Sequence, residues 1–305
     1  LTLIDLIVAP PLRSIVVTGA SSQIGRFLLP RLVASGYSVT AISRSPAAEN
    51  GVGSVSWISG DIDKSGDLQM PQADTLIHVA PLRLLPRFLP DFLAYGGKRV
   101  ICFGTTSRFV KAASADAHEQ AFAAAQIAAE EKMAKLCAAS GAHWTLFRPT
   151  MIYGCEMDRN VTLIARLIRR FGFFPLLGAA IGLRQPVHAD DLAAACVAVL
   201  DRPATFDKAY DLTGGETLRY RHMVERIFAA LGRPPRFISV PIALFRLALW
   251  LVSRIPRFRD FNAEMARRMN DDLVFDSVPA KRDFGYAPRP FEPRFSALTN
   301  DVRHG

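Results

Sequence analysis

The chain has 305 residues, 50% hydrophobic and 21% charged, with a formal net charge of +9. That balance excludes intrinsic disorder and suits one compact unit with an added lobe. Four cysteines, Cys102, Cys137, Cys155 and Cys196, lack metal-ligand spacing, so they read as small buried hydrophobes in a reducing compartment and no metal site is expected.

Residues 1–12 are apolar but lack the basic start of a signal peptide and are too short to span a bilayer; they read as a leader. Ser14 to Thr18 is a short β-branched run, suited to a buried parallel strand. Gly19 follows at once, and 23–35 then carries apolar residues at helical spacing. A strand, a Gly-rich turn and a helix together suit a dinucleotide pyrophosphate, which backbone N–H groups and the positive helix end would hold. Gly19 permits the tight turn, Ser21, Ser22, Gln23 and Ile24 supply its backbone, and Gly25 lets the helix approach the strand. Ser22 stands where the pattern has its middle glycine. Its Cβ narrows the approach, while its hydroxyl could donate to a phosphate.

The second strand, 37–43, ends at Arg44. An acidic residue near this point would hold the ribose 2′-OH of NAD, whereas an arginine suits the extra phosphate of NADP, so NADP(H) is favoured over NAD(H). The other reading of Arg44 is a solvated loop charge. Strands are also expected over 55–62, 76–80 and 99–103, joined by helical or short connections. The fold class is therefore α/β, a doubly wound parallel-sheet Rossmann fold. Between the fourth and fifth strands the prolines at 81, 86 and 90 are expected to break regular helix. A helix follows at about 115–140, and a sixth strand ends near Arg148.

The pattern changes after Gly154. A helix with three arginines is expected over 160–171, and 173–178 reads as a loop over the site. Asp190 is placed to cap a helix over 191–200. The last strand of the main sheet is expected over 209–213, with a Gly214-Gly215 turn, then a helix at about 221–231 and a small C-terminal unit. This gives a Rossmann domain of 13–153 and 187–213, and a smaller, mostly helical substrate-binding lobe of 154–186 and 214–300.

Thr18-Gly-Ala-Ser-Ser-Gln-Ile-Gly25, Gly60-Asp61-Ile62, the strand Leu76 to Ala80, Arg148-Pro-Thr-Met-Ile-Tyr-Gly154 and Gln185-Pro-Val-His-Ala-Asp-Asp191 occur in order. In that order and spacing the chain resembles the extended, atypical short-chain dehydrogenase/reductases, the NAD-dependent epimerase/dehydratase group. The resemblance implies that Asp61 and Ile62 contact the adenine, that Val79 and Ala80 lie below the nicotinamide, and that Pro149 and Met151 line the cofactor. It also implies a Ser or Thr after the fifth strand that polarises the substrate, best matched by Thr106, and a Tyr/Lys pair on the next helix that relays the proton. No Tyr-x-x-x-Lys occurs in the chain. Phe122 stands at the Tyr position and Gln126 at the Lys position, where Gln126 could still bond the ribose. Glu119, Lys111 and His118 are nearby candidates for a substitute acid/base; each also reads as a solvated surface group.

Two functions are therefore carried forward. One is an NAD(P)-binding oxidoreductase acting on a nucleotide sugar or related carbonyl/alcohol compound in the inter-lobe cleft, with an altered proton relay. The other is a non-catalytic NADPH-binding structural or assembly subunit, or a redox sensor. The second resembles the atypical complex I accessory subunit group, which lacks the same pair, with NmrA-like sensors a more distant option. The arginines of the second half suit an anionic substrate, an anionic membrane surface or simple solvation; no nucleic-acid motif accompanies them. The apolar stretch 241–253 reads as a buried or homodimer-forming helix, or as one lying at a membrane interface. A cytoplasmic location follows, with peripheral placement at the inner face of the membrane as the alternative.

Overall fold

A computed structural model describes residues 13–44, 55–64, 70–240 and 268–295. The readings made for 1–12 and 241–253 lie outside the described residues. In chain order the main unit contains β1 (Ser14–Thr18), α1 (Gln23–Ala34), β2 (Ser38–Ser43), β3 (Val55–Ser59), β4 (Thr75–His78), α2 (Leu85–Ala94) and β5 (Arg99–Phe103). It continues with α3 (Ser107–Ala112), α4 (Ala117–Ser140) and β6 (His143–Pro149). Then come β7 (Ile152–Tyr153), α5 (Val161–Phe171), β8 (Phe174–Leu177), β9 (Leu183–Arg184), β10 (Val187–His188), α6 (Ala189–Val199) and β11 (Lys208–Leu212). The last elements are β12 (Leu218–Arg219), α7 (Tyr220–Ala230), β13 (Phe237–Val240) and α8 (Val278–Phe284).

Seven strands form one parallel sheet in the order β11-β6-β5-β4-β1-β2-β3. The alternation of side chains along each strand divides its residues between two cores. Ile15 and Val17 of β1 enter a cluster with α1 and α6, while Val16 enters the opposite cluster with α2 and α4. β5 repeats the division, with Ile101 and Phe103 on one side and Val100 and Cys102 on the other. The strand order reverses between β1 and β4, which opens the crevice where such sheets take ligands. A third apolar cluster joins α5, β8 and α7 through Ile164, Ile168, Phe174, Leu177, Met223 and Phe228.

Three local expectations are corrected. The proline-rich connection is helical: Pro86 falls in the first turn of α2, where no N–H is needed, and Pro90 is carried inside the helix. Burial of Leu85, Phe88, Leu89 and Phe92 outweighs the lost backbone bond. Residues 174–177 are not a loop but β8, which pairs in parallel with β13. The cap of α6 is His188, whose Nδ1 accepts from the Asp190 N–H at 3.1 Å; Asp190 instead pairs with Arg31 and Arg289. Burial alone would raise the Asp190 carboxyl, but bonds from Arg289 and Arg31 hold it below the usual range. Ala280, Phe284 and Tyr286 pack into the main core, with the Phe284 ring edge-on to Tyr210 of β11. Among the described residues no helix is long and apolar enough to cross a membrane.

Candidate functional site

The Gly-rich turn fits a dinucleotide. Gly19 has φ +73°, and a Cβ there would lie 2.7 Å from the Ala80 backbone nitrogen. At Gly25 a Cβ would lie 2.0 Å from the Ala20 carbonyl oxygen, so only glycine lets α1 open this close to β1. Gln23 and Ile24 open α1, so their N–H groups have no intrahelical acceptor and suit a pyrophosphate. The Ser22 hydroxyl oxygen caps the helix by accepting from the Gly25 N–H at 3.2 Å. The Gln23 Oε1 is buried without a hydrogen-bond partner, a polar atom suited to a ligand donor. Ile24 is buried beneath the turn and helps fix it.

The remaining cofactor residues line up along the strand ends. Ser21 and Ser43 share a hydroxyl hydrogen bond of 2.8 Å, which ties the turn to the end of β2, and exposed Arg44 follows directly. Asp61 accepts from the Asp63 N–H at 3.1 Å and turns the chain above buried Ile62. The Val79 N–H donates to the Thr18 carbonyl at 3.0 Å, which holds Val79 and Ala80 beside Gly19. Beneath them His78 is fully buried. Its Nε2 donates to the Pro81 carbonyl at 3.2 Å, and its Nδ1 accepts from the Thr18 hydroxyl at 2.7 Å. Burial without a counter-ion pushes the His78 imidazole down to about 4, so the ring is neutral.

A chamber of about 640 Å³ lies between the C-terminal strand ends and the α5–β8 cluster, with Gln23, Thr105, Thr106, Met151 and Lys111 among its walls. Thr106 is buried and directs its hydroxyl to the Pro149 carbonyl at 3.1 Å, so it offers the chamber only lone pairs. Thr105 accepts from the Ser107 N–H at 3.1 Å through its hydroxyl oxygen, which leaves the hydroxyl proton able to donate. The two positions of the absent pair separate. Phe122 is 39% exposed and does not line the chamber, whereas Gln126 lies on the buried face of α4 at 6% exposure.

Lys111 stands between Phe122 and the chamber. Its Nζ lies 4.3 Å from the Phe122 ring centroid and 3.9 Å from the Glu119 carboxylate. The expectation that Glu119 is a solvated surface group is corrected: it is buried and bonded by Arg268. Desolvation would raise its carboxyl, but bonds from Arg268 and Ser114 and the charges of Arg268 and Lys111 hold it below the usual range. It therefore stays ionised and is a poor proton donor. His118 is exposed.

Glu130 is not among the residues that the sequence singles out. In the fold it is buried and ion-paired with both Arg108 and Arg148, the latter through Nη2 at 2.6 Å. This joins α3, α4 and β6 below the chamber floor. A glutamate on the buried side of α4 was the available signal, because a carboxylate there demands a cation. Among the described residues no group of His, Cys, Asp and Glu could hold a metal ion. Burial raises the thiols of Cys102, Cys137, Cys155 and Cys196.

Comparison with known proteins bears on this geometry. A family model described as the NAD dependent epimerase/dehydratase family matches residues 15–88 and 91–212. The 2-alkyl-3-oxoalkanoate reductase of Stenotrophomonas maltophilia is 26% identical over 90% of this chain and 94% of that protein. NADH dehydrogenase [ubiquinone] 1 alpha subcomplex subunit 9 of Arabidopsis thaliana is 29% identical over 47% of this chain, which spans only 38% of that subunit's length. Among solved structures, MoeE5 in complex with UDP-glucuronic acid and NAD has a similar fold, with a TM-score of 0.70 and 18% identity over 91% of this chain and 94% of MoeE5.

Proposed function

The chain belongs to the NAD-dependent epimerase/dehydratase family, and on that premise we propose that it is an NADP(H)-favouring oxidoreductase that interconverts a carbonyl and an alcohol in the chamber, with Lys111 in place of the phenol. The observation that carries this reading is the ammonium of Lys111 at the chamber wall, in front of the phenylalanine that stands at the family's Tyr position. Gly19 to Gly25 would hold the pyrophosphate and Arg44 the 2′-phosphate. When bound, the nicotinamide ring supplies or accepts hydride. As the substrate oxygen gains negative charge, Lys111 hands it a proton from Nζ, and the Thr105 hydroxyl donates a hydrogen bond to the same oxygen. In the oxidative direction the same transfers run in reverse, and the proton returns to Lys111 Nζ. Glu119 and Arg268 position the Lys111 side chain without exchanging the proton themselves. A reduced carbonyl is in keeping with the reductase relative, and a nucleotide sugar with MoeE5.

Single-turnover NADPH oxidation against a panel of ketones, aldehydes and oxidised nucleotide sugars tests this. Lys111→Met should slow the reaction by about 10²-fold or more, the usual scale of acid–base help, and Lys111→Arg should not restore it. Wild-type turnover that survives Lys111→Met would refute the role. The second reading, a non-catalytic NADPH-binding subunit, is favoured by the missing phenol at Phe122 and the partial similarity to the respiratory-chain subunit. Tight NADPH binding with no turnover on any panel member would favour it.

A further inference from the structure

Residues 159–189 hold five arginines and no aspartate or glutamate, and residues 226–259 hold seven and none. The fold brings parts of these two stretches together at one edge of the smaller lobe. β13 pairs in parallel with β8, and the Phe174 N–H donates to the Arg236 carbonyl at 2.9 Å. The Arg233 guanidinium reaches the end of α5 and donates to the carbonyls of Ile168 and Arg169 at 2.8 and 3.1 Å. Arg170 lies over the Phe171 ring, which in turn meets Phe173. Arg169 and Arg226 are paired with Glu156 and Glu216. Arg166, Arg170, Arg233 and Arg236 are exposed, and among the described residues no carboxylate pairs with any of them.

Two bulky apolar side chains stand among these cations. Phe171 is 53% exposed and Ile238 47%. Phe171 continues the α5 stripe of Leu163 and Leu167, and Ile238 is in register with Pro175. Leu163, Leu167 and Pro175 all line the chamber, so Phe171 and Ile238 lie on that same side of the lobe, outside the chamber wall.

We propose that this edge docks on an anionic lipid bilayer, with Phe171 and Ile238 entering the head-group region and the four arginines meeting the charged head groups. Charge complementarity selects the partner: an edge with cations and no acid is drawn to a negative surface. The apolar pair favours a bilayer over a nucleic acid. An interface accepts an aromatic and an aliphatic side chain below a layer of guanidinium groups, whereas a nucleic acid offers Ile238 nothing to bury against. The sequence joined to β13 has the same character. Residues 241–252 are apolar apart from Arg246, and Arg254, Arg257 and Arg259 follow. An arginine close to such a surface is worth about fivefold in affinity, and burying the exposed part of Phe171 about as much.

The test sediments the full 305-residue chain with vesicles of phosphatidylcholine and phosphatidylglycerol, and with vesicles of phosphatidylcholine alone. Binding is expected to the mixed vesicles, weakening as salt rises, and not to the neutral ones. Arg170→Gln combined with Arg236→Gln should weaken binding about 25-fold, the product of two such contributions. Phe171→Ser should weaken it about fivefold and leave the salt dependence unchanged. Both variants alter exposed side chains, and urea melts that match wild type show that they are folded. No binding to the mixed vesicles, equal binding to both kinds, or full binding retained by either folded variant would overturn the proposal. Full binding by the arginine variant is the result expected if residues 241–259 alone met the vesicle. Binding of a DNA duplex in place of vesicles, lost in the arginine variant, would assign the edge to nucleic acid and overturn it too.

Discussion

Acidification should destabilise the protein through His78. The ring lies between the strand that ends at Thr18 and the turn at Pro81, fully buried, and burial lowers it from 6.5 to about 4. A histidine depressed in the folded state stays neutral there while the unfolded chain takes up a proton. Its contribution is therefore intact above about pH 6.5, declines as pH falls toward 4, and changes no further below that. With those two values the loss between pH 7.5 and pH 5 is about 2 kcal/mol, and the full loss is about 3 kcal/mol. Urea unfolding at the two pH values measures it. His78→Asn keeps an acceptor for the Thr18 hydroxyl but cannot titrate in this range. The variant should be less stable at pH 7.5, because the Pro81 bond is lost, yet should lose about 2 kcal/mol less than wild type on going to pH 5. Burial lowers His188 too, in both proteins, so it cancels in the difference. Equal losses in wild type and variant would show that His78 is not held neutral and that the strand ends are wetter than described.

Gly19→Val should abolish measurable NADPH binding in a folded protein, since a Cβ at φ +73° meets the Ala80 backbone at 2.7 Å and must open the turn; calorimetric titration with undiminished affinity would misplace the site. Arg44→Ala should weaken NADPH about tenfold and leave NADH unchanged, the scale of a lost charge-assisted bond to the 2′-phosphate; equal affinities of wild type for the two cofactors would contradict this. Glu130→Gln should destabilise the fold by about 3 kcal/mol in urea melts, because Arg108 and Arg148 lose the buried carboxylate they share; a change within 0.5 kcal/mol, the ordinary scatter of surface substitutions, would show that the pairs are solvated.

Much of the cofactor half was legible because its signals are local. A β-branched run becomes a buried strand, and glycines at 19 and 25 become the two points where the backbone approaches too closely for a side chain. In the fold Ile15 and Val17 face one core and Val16 the other, as the alternation of side chains along a strand requires. The prolines of α2 misled for the converse reason. Their local cost is real, but a buried face of Leu85, Phe88, Leu89 and Phe92 outweighs it, and that burial is a property of the assembled sheet.

The chamber was not legible, because its character depends on partners far apart in the chain. Glu119 reads as a surface acid until Arg268, 149 residues later, is folded against it. Residues 174–177 read as a loop until β13 supplies the strand that pairs with them. Arginines 184 and 268 read as anion-binding or simply solvated charges until the carbonyls and the carboxylate that they bond are in place. The sequence by itself therefore determined the Rossmann frame, the dinucleotide turn and the absence of a Tyr/Lys pair, since each depends on residues within one strand, turn or helix. Which polar groups remain able to meet a substrate, and that Lys111 stands in front of Phe122, only the tertiary structure decided, because hydrogen-bond donors and acceptors are engaged by whatever the fold brings within about 3 Å of them.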